Sequence, residues 1–168
     1  GNLPFVRSLT NEAVLVSSFL AFEDSFRGGV NVSAGDFNND GNIEYAAVAQ
    51  SDRAPVVRVF DKNGQLLTEF MAFPPDLTAG VSVAAGDVTG DGVDDIVVGA
   101  PRGHAPEVRV YAMDGTLQKT VMAFVPQFLG GVDVAVADMN LDGQLDLIVG
   151  AGAGGGPHVR VLNLDGMQ

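Results

Sequence analysis

Three acidic stretches at a fixed spacing of 51 residues constrain this chain more than any bulk property. They are Asp36-Phe37-Asn38-Asn39-Asp40-Gly41-Asn42-Ile43-Glu44, Asp87-Val88-Thr89-Gly90-Asp91-Gly92-Val93-Asp94-Asp95 and Asp138-Met139-Asn140-Leu141-Asp142-Gly143-Gln144-Leu145-Asp146. In each, oxygen-bearing side chains alternate, so a curling backbone aims every second one at a common centre. A glycine then allows the sharp turn that a Cβ would hinder, and a carboxylate closes the stretch. A period of this size marks a repeat architecture.

The remainder of the repeat follows one script. An apolar run (Val30–Ala34, Val81–Ala85, Val132–Val136) leads into each loop and a second (Tyr45–Ala49, Ile96–Gly99, Leu147–Gly150) leaves it. Gly/Pro-rich connections end at Pro55, Pro106 and Pro157, before the alternating Val57-Arg58-Val59, Val108-Arg109-Val110 and Val159-Arg160-Val161. Asn63-Gly64, Asp114-Gly115 and Asp165-Gly166 are hairpin-turn signals, and a fourth run follows at Leu66–Phe73 and Leu117–Phe124. Four short β-rich runs without helical periodicity describe a four-stranded antiparallel sheet. Sheets of this kind repeating at about 40–50 residues predict an all-β fold, a β-propeller. The predicted blades are residues 28–73, 79–124 and 130–168, preceded by a leader or linker at 1–12 and a lone outer strand at 13–22. A propeller closes with about 4–8 blades. Three per chain therefore predict a ring completed by a second copy, a homodimer of six blades. The lone strand of one copy would cover the open edge of the other's last blade. A piece of a longer propeller is the other reading, consistent with a chain that starts at Gly1 without a signal peptide.

Charge narrows the partners. At a formal −12 the chain is unsuited to nucleic acid or to an anionic membrane surface. No apolar run reaches the roughly 20 residues of a membrane-spanning helix, and with no cysteine the redox compartment stays open. Ten of the 21 acidic residues sit in the three loops, where they would repel one another unless neutralised. A hard, oxygen-seeking cation answers that repulsion. Ca²⁺ is the natural occupant of such an oxygen-rich loop.

Downstream of its loop the second repeat carries Val98-Gly99-Ala100-Pro101. Loop and tetrapeptide together resemble the FG-GAP propeller repeat, integrin α-subunit-like or VCBS-type. There are departures: Gly28, Ala79 and Gly130 replace the Phe ahead of Gly29, Gly80 and Gly131. Gly-Ala-Pro becomes Val48-Ala49-Gln50 and Gly150-Ala151-Gly152 in the outer copies. The resemblance implies about three Ca²⁺ per chain, each in the loop between the first and second strands of a blade. The implied ligands are Asp36, Asn38, Asp40 and Glu44 with the Asn42 carbonyl, then Asp87, Thr89, Asp91 and Asp95 with the Val93 carbonyl. In the third loop they are Asp138, Asn140, Asp142 and Asp146 with the Gln144 carbonyl.

The sequence reads as a binding protein, not an enzyme. It has no cysteine, His104 and His158 occupy different repeat positions, and no nucleophile–base–orienter set can be assembled. A part of a polysaccharide-active enzyme and a calcium-stiffened structural module of a larger surface protein are the alternatives. Loops on one face of a repeat scaffold collect binding. The resemblance implies the face opposite the calcium loops, formed by Ser51–Pro55, Arg102–Pro106 and Gly152–Pro157 with Glu23–Gly28, Pro74–Ala79 and Val125–Gly130. A glycan or protein ligand is expected there, and secretion or cell-surface display fits calcium sites of this kind. Arg58, Arg109 and Arg160, alternating with valines, read as a structural ion-pair ladder between blades.

Overall fold

The computed structural model describes residues 3–167, which hold thirteen strands and no helix. In chain order these are β1 (Phe5–Leu9), β2 (Leu15–Leu20), β3 (Val30–Gly35), β4 (Glu44–Ala49), β5 (Val56–Phe60), β6 (Leu66–Met71) and β7 (Ser82–Gly86). They continue as β8 (Asp95–Gly99), β9 (Glu107–Tyr111), β10 (Leu117–Met122), β11 (Val132–Ala137), β12 (Asp146–Ala151) and β13 (Val159–Leu162). The sheets are antiparallel with strands in sequence order: β3 to β6, β7 to β10, β11 to β13, and the pair β1–β2.

Successive sheets meet through their first strands, β3 beside β7 and β7 beside β11. The Val81 N–H donates to the Ala49 carbonyl (3.2 Å) and the Val132 N–H to the Ala100 carbonyl (2.9 Å). Side chains repeat the link, Asn31 Nδ2 donating to the Val81 carbonyl and Ser82 Oγ to the Val132 carbonyl, each at 2.8 Å. A sheet with neighbours on both faces buries its second strand completely, so that strand reads as an unbroken apolar run. Ile96, Val97 and Val98 of β8 are accordingly all buried, as are Ala46, Ala47 and Val48 of β4. One apolar cluster runs through the three larger sheets; a second, containing Val6, Phe19, Phe22, Phe26 and Phe60, joins β1–β2 to the first of them.

The start of the chain corrects the sequence reading. Residues 1–12 are not merely a leader, and 13–22 is not a lone outer strand, because β1 pairs with β2. Its register, Val6 opposite Phe19 and Arg7 opposite Ser18, is the β5–β6 register of Val57 opposite Phe70 and Arg58 opposite Glu69, shifted by one repeat. The Ala21 N–H bonds the Pro4 carbonyl as Ala72 bonds Pro55 and Ala123 bonds Pro106. β1 is thus the third strand of an earlier blade. Its turn disguised it. Ala13 holds a left-handed φ of 61° where Gly64, Gly115 and Gly166 stand in the later copies, a conformation that costs a residue with a Cβ. Thr10 Oγ1 supports the turn by accepting from the N–H groups of Glu12 and Val14. Gly1 and Asn2 of the leader, and Gln168 of the last blade, lie outside the described residues.

The arginine series bridges blades, though not through carboxylates. Arg58, Arg109 and Arg160 each send Nη1 to the backbone carbonyl that follows the previous blade's fourth strand: Ala21 (3.1 Å), Ala72 (2.7 Å) and Ala123 (2.6 Å). The acidic partners, Glu69 and Glu107, belong to the same sheet as their arginine. Arg109 also lies 4.4 Å from the centroid of the Phe73 ring. A charge-assisted hydrogen bond and a partly desolvated cation–π contact together predict that Arg109→Ala costs about 2–3 kcal/mol. Urea unfolding would measure this. Arg109→Lys should recover only part, since an ammonium cannot hold Glu107 and Ala72 in one plane.

Candidate metal centres

Each acidic stretch forms the link between first and second strands, β3–β4, β7–β8 and β11–β12. The first acid is the hub about which the loop winds. Asp36 takes the N–H of Asp40 (3.1 Å) on Oδ1 and that of Gly41 (2.9 Å) on Oδ2. Asp87 takes those of Gly90, Asp91 and Gly92 (2.7, 3.1 and 2.9 Å), and Asp138 those of Asp142 and Gly143 (3.2 and 2.9 Å). Gly41, Gly92 and Gly143 have φ of 80–89° with nothing within 4 Å of a hypothetical Cβ, so conformation and not space selects glycine. Asn39 and Leu141 also adopt left-handed φ, where the first is tolerated and the second strained.

Asp40, Asp91 and Asp142 accept the N–H two residues on, from Asn42 (2.8 Å), Val93 (2.9 Å) and Gln144 (2.8 Å). Asn38 and Asn140 each accept from the following acid's N–H at 2.9 Å. The closing acids begin the second strands and reach back to the loop entrance. Glu44 accepts from Phe37 (3.1 Å), Asp95 from Val88 and Thr89 (3.1 and 3.0 Å), and Asp146 from Met139 (3.1 Å). Apart from Thr89, each predicted side-chain ligand thus bonds to N–H groups of its own loop. Among the described residues, no three carboxylate or imidazole groups are drawn tightly enough together to hold a metal by themselves.

Two observations speak to the fit of a cation. Glu44 and Asp95 are buried, each 2% exposed, without a cationic partner among the described residues. Burial raises the pKa of both; the charges of Asp40 and Asp36 add to the effect at Glu44, and that of Asp91 at Asp95, against the N–H groups they accept. A divalent ion would supply the charge these sites lack. Second, Thr89 Oγ1, the one predicted ligand that replaces Asn, is buried beside the Asp95 carboxyl, whose pKa it helps to lower, but makes no hydrogen bond of good geometry among the described residues. A buried hydroxyl so poorly partnered is costly, and a hard cation is a partner that would suit it.

One residue escaped the sequence reading. Asp94 is in no predicted ligand set, yet its Oδ2 accepts the Asp36 N–H (2.9 Å) and its own N–H donates to the Asp36 carbonyl (3.2 Å). The signal available was the Asp94-Asp95 doublet, since Ile43 and Leu145 hold the equivalent places.

At the other ends of the strands four of the six predicted connections, those ending in or beginning at Ala79, Arg102, Gly130 and Gly152, reach a cleft of about 300 Å³ whose lining also includes Asn31, Gln50 and Asp133, while Ser51–Pro55 and Glu23–Gly28 do not line it. In the glycine-rich connection, a Cβ on Gly152 would strike the Gly130 carbonyl and one on Gly155 would strike Ala151, whereas Gly154 and Gly156 face open space. His104 packs edge-on against Phe73, 3.5 Å from Glu107, and His158 stacks on Phe124. Both histidines have ordinary packing roles.

Residues 79–113 match the FG-GAP repeat. The chain is 42% identical to integrin alpha pat-2 of Caenorhabditis elegans over 77 residues, 42% of this chain and 6% of that protein. It is 37% identical to integrin alpha-8 of Mus musculus over 83 residues, 45% of this chain and 7% of that one. With integrin alpha-V of Gallus gallus the match extends to 152 residues at 30% identity, 80% of this chain and 15% of that protein. The chain thus spans only a small part of these relatives' length. A crystal structure of a protein of unknown function from Bacteroides caccae superposes with a TM-score of 0.55 at 18% identity, covering 98% of this chain and 52% of that one, and shares the fold.

Proposed function

Since the chain belongs to the FG-GAP, integrin-like repeat family, we propose that it is a calcium-binding β-propeller module that serves as a scaffold for binding a glycan or protein. The observation that carries this is the threefold recurrence of one loop: a hub aspartate, a left-handed glycine, and a closing acid that reaches back from the second strand. In this reading Asp36, Asn38, Asp40, Glu44 and the Asn42 carbonyl hold one Ca²⁺. The sets of Asp87 and Asp138, as given above, hold two more. The ion neutralises the carboxylates and fixes the turn; the rest of the blade presents the opposite cleft. Arg102 and Asp133 there offer a cation and an anion to a polar ligand.

The surroundings follow from the same reading. Calcium sites of modest affinity work where calcium is millimolar, which places the protein outside the cell or on its surface. In the structure, no helix among the described residues is long and apolar enough to cross a membrane. Two copies would close a six-bladed ring, by a changed route. β1 already covers β2, so the β13 of a second copy would take the place of β1.

Calorimetric titration of the chelator-treated chain with CaCl₂ tests the core of the proposal. The expected result is about three ions per chain with dissociation constants on the order of 0.1–1 mM. A titration without heat at millimolar calcium defeats it. A glycan array, read with and without calcium, then separates a binding scaffold from a purely structural module.

A further inference from the structure

The two reciprocal hydrogen bonds between Asp94 and Asp36 join the first two loops and have no counterpart further along. Asp94 lies between two predicted ligands of the second loop, the Val93 carbonyl and Asp95. Its side chain holds the N–H of Asp36, hub of the first loop, and its N–H holds the carbonyl of the same residue. The contact is close-fitting. A Cβ added to Gly35 would come within 2.7 Å of Asp94 Oδ2 and 3.0 Å of its Cβ. One repeat later the position is Leu145, whose side chain packs against Gly86, close to Val136. Among the described residues no hydrogen bond joins Leu145 to Asp87. At the Asp94 position blades one and two are therefore linked loop to loop by polar bonds, whereas at the equivalent Leu145 position blades two and three meet by apolar packing.

We propose that Asp94 is a positioning residue that couples cation binding at the first loop to cation binding at the second, leaving the third independent. The inference rests on the calcium reading above. An ion held by the Val93 carbonyl and Asp95 fixes the backbone on either side of Asp94. Its carboxylate then meets the Asp36 N–H without further loss of freedom. The hub of the first loop is already oriented when its own ion arrives. Ordering that one ligand has completed need not be repeated for the next, and this is positive cooperativity. Linkage makes the effect reciprocal. Leu145 can transmit no such orientation to Asp87, because it offers no acceptor.

The test is a set of calcium titrations on the full chain, followed by calorimetry and by the amide resonance of Asp36. Asp87→Ala removes the second site and Asp138→Ala the third. Asp87→Ala should weaken calcium at the first loop about fivefold or more, the lower end of typical coupling, while Asp138→Ala leaves it unchanged. In an Asp94→Leu background, which copies the residue of the third repeat, Asp87→Ala should no longer affect the first loop. Where Asp94→Leu fails to fold, Asp94→Ala serves. Without calcium, either Asp94 variant should also speed hydrogen exchange at the Asp36 amide. Equal weakening in both backgrounds, or unchanged Asp36 exchange, overturns the coupling while leaving calcium binding intact. No calcium uptake by the unaltered chain overturns both.

Discussion

Calcium at 10 mM should raise the unfolding midpoint of the chelator-treated chain by on the order of 10 °C or more. A site with a dissociation constant of about 0.1–1 mM is then at about 10–100 times that constant, worth about 1.4–2.7 kcal/mol. Three such sites contribute about 4–8 kcal/mol, and each kcal/mol moves the midpoint of a domain this size by about 2–4 °C. Magnesium at the same concentration should do much less, because the loop offers carbonyls and mixed side chains and not a strict octahedron. The pH dependence has a definite sign. In the calcium-free chain burial raises the Glu44 and Asp95 pKa values above their unfolded ones. The folded state therefore holds those protons more tightly, and the stability they contribute at low pH is lost as pH rises through the raised values. Calcium needs the ionised form, so its stabilisation is small in acid and complete once both carboxyls have ionised. Scanning calorimetry at several pH values checks both halves; a calcium effect that did not grow with pH would point away from Glu44 and Asp95 as ligands.

How far the sequence revealed the molecule depended on which interactions repeat. The loops were legible because hub, glycine and closing acid occur three times with one spacing, and all three fold alike. The arginines were legible as links between blades. Their partner was not, because a backbone carbonyl such as that of Ala72 has no residue type to recognise. β1 was missed since Ala13 stands in the glycine position of its turn, and only the register with β2 shows that Phe5–Leu9 is a third strand. Asp94 was missed for the opposite reason. It breaks the repeat, and a device that occurs once has no periodic signal. Period reports what every blade needs, while the contacts that distinguish one pair of blades from another are set by tertiary packing.

Gly80→Ala should be among the most damaging single-methyl additions in the chain, at about 2–5 kcal/mol, combining left-handed strain with overpacking. Gly80 has a φ of 82°, and an added Cβ would fall 1.8 Å from the carbonyl oxygen of Gln50, 2.2 Å from its carbon and 2.9 Å from its Cα. All three are backbone atoms at the end of the first blade's second strand, so no rotamer change relieves the clash. The strand must move. Movement there breaks the adjacent Val81-to-Ala49 hydrogen bond, and with it the Asn31 contact to the Val81 carbonyl, both of which hold the second blade to the first. Gly41→Ala is the control. Gly41 has nearly the same φ, 80°, but its Cβ would meet nothing within 4 Å, so only the conformational penalty of about 1–2 kcal/mol applies. Gly41 belongs to a loop proposed to hold calcium, so both variants are compared by urea unfolding in chelator. If Gly80→Ala lost no more stability than Gly41→Ala, the close backbone approach of the first two blades would be wrong, and the second residue of the Ala79-Gly80 pair would need another explanation.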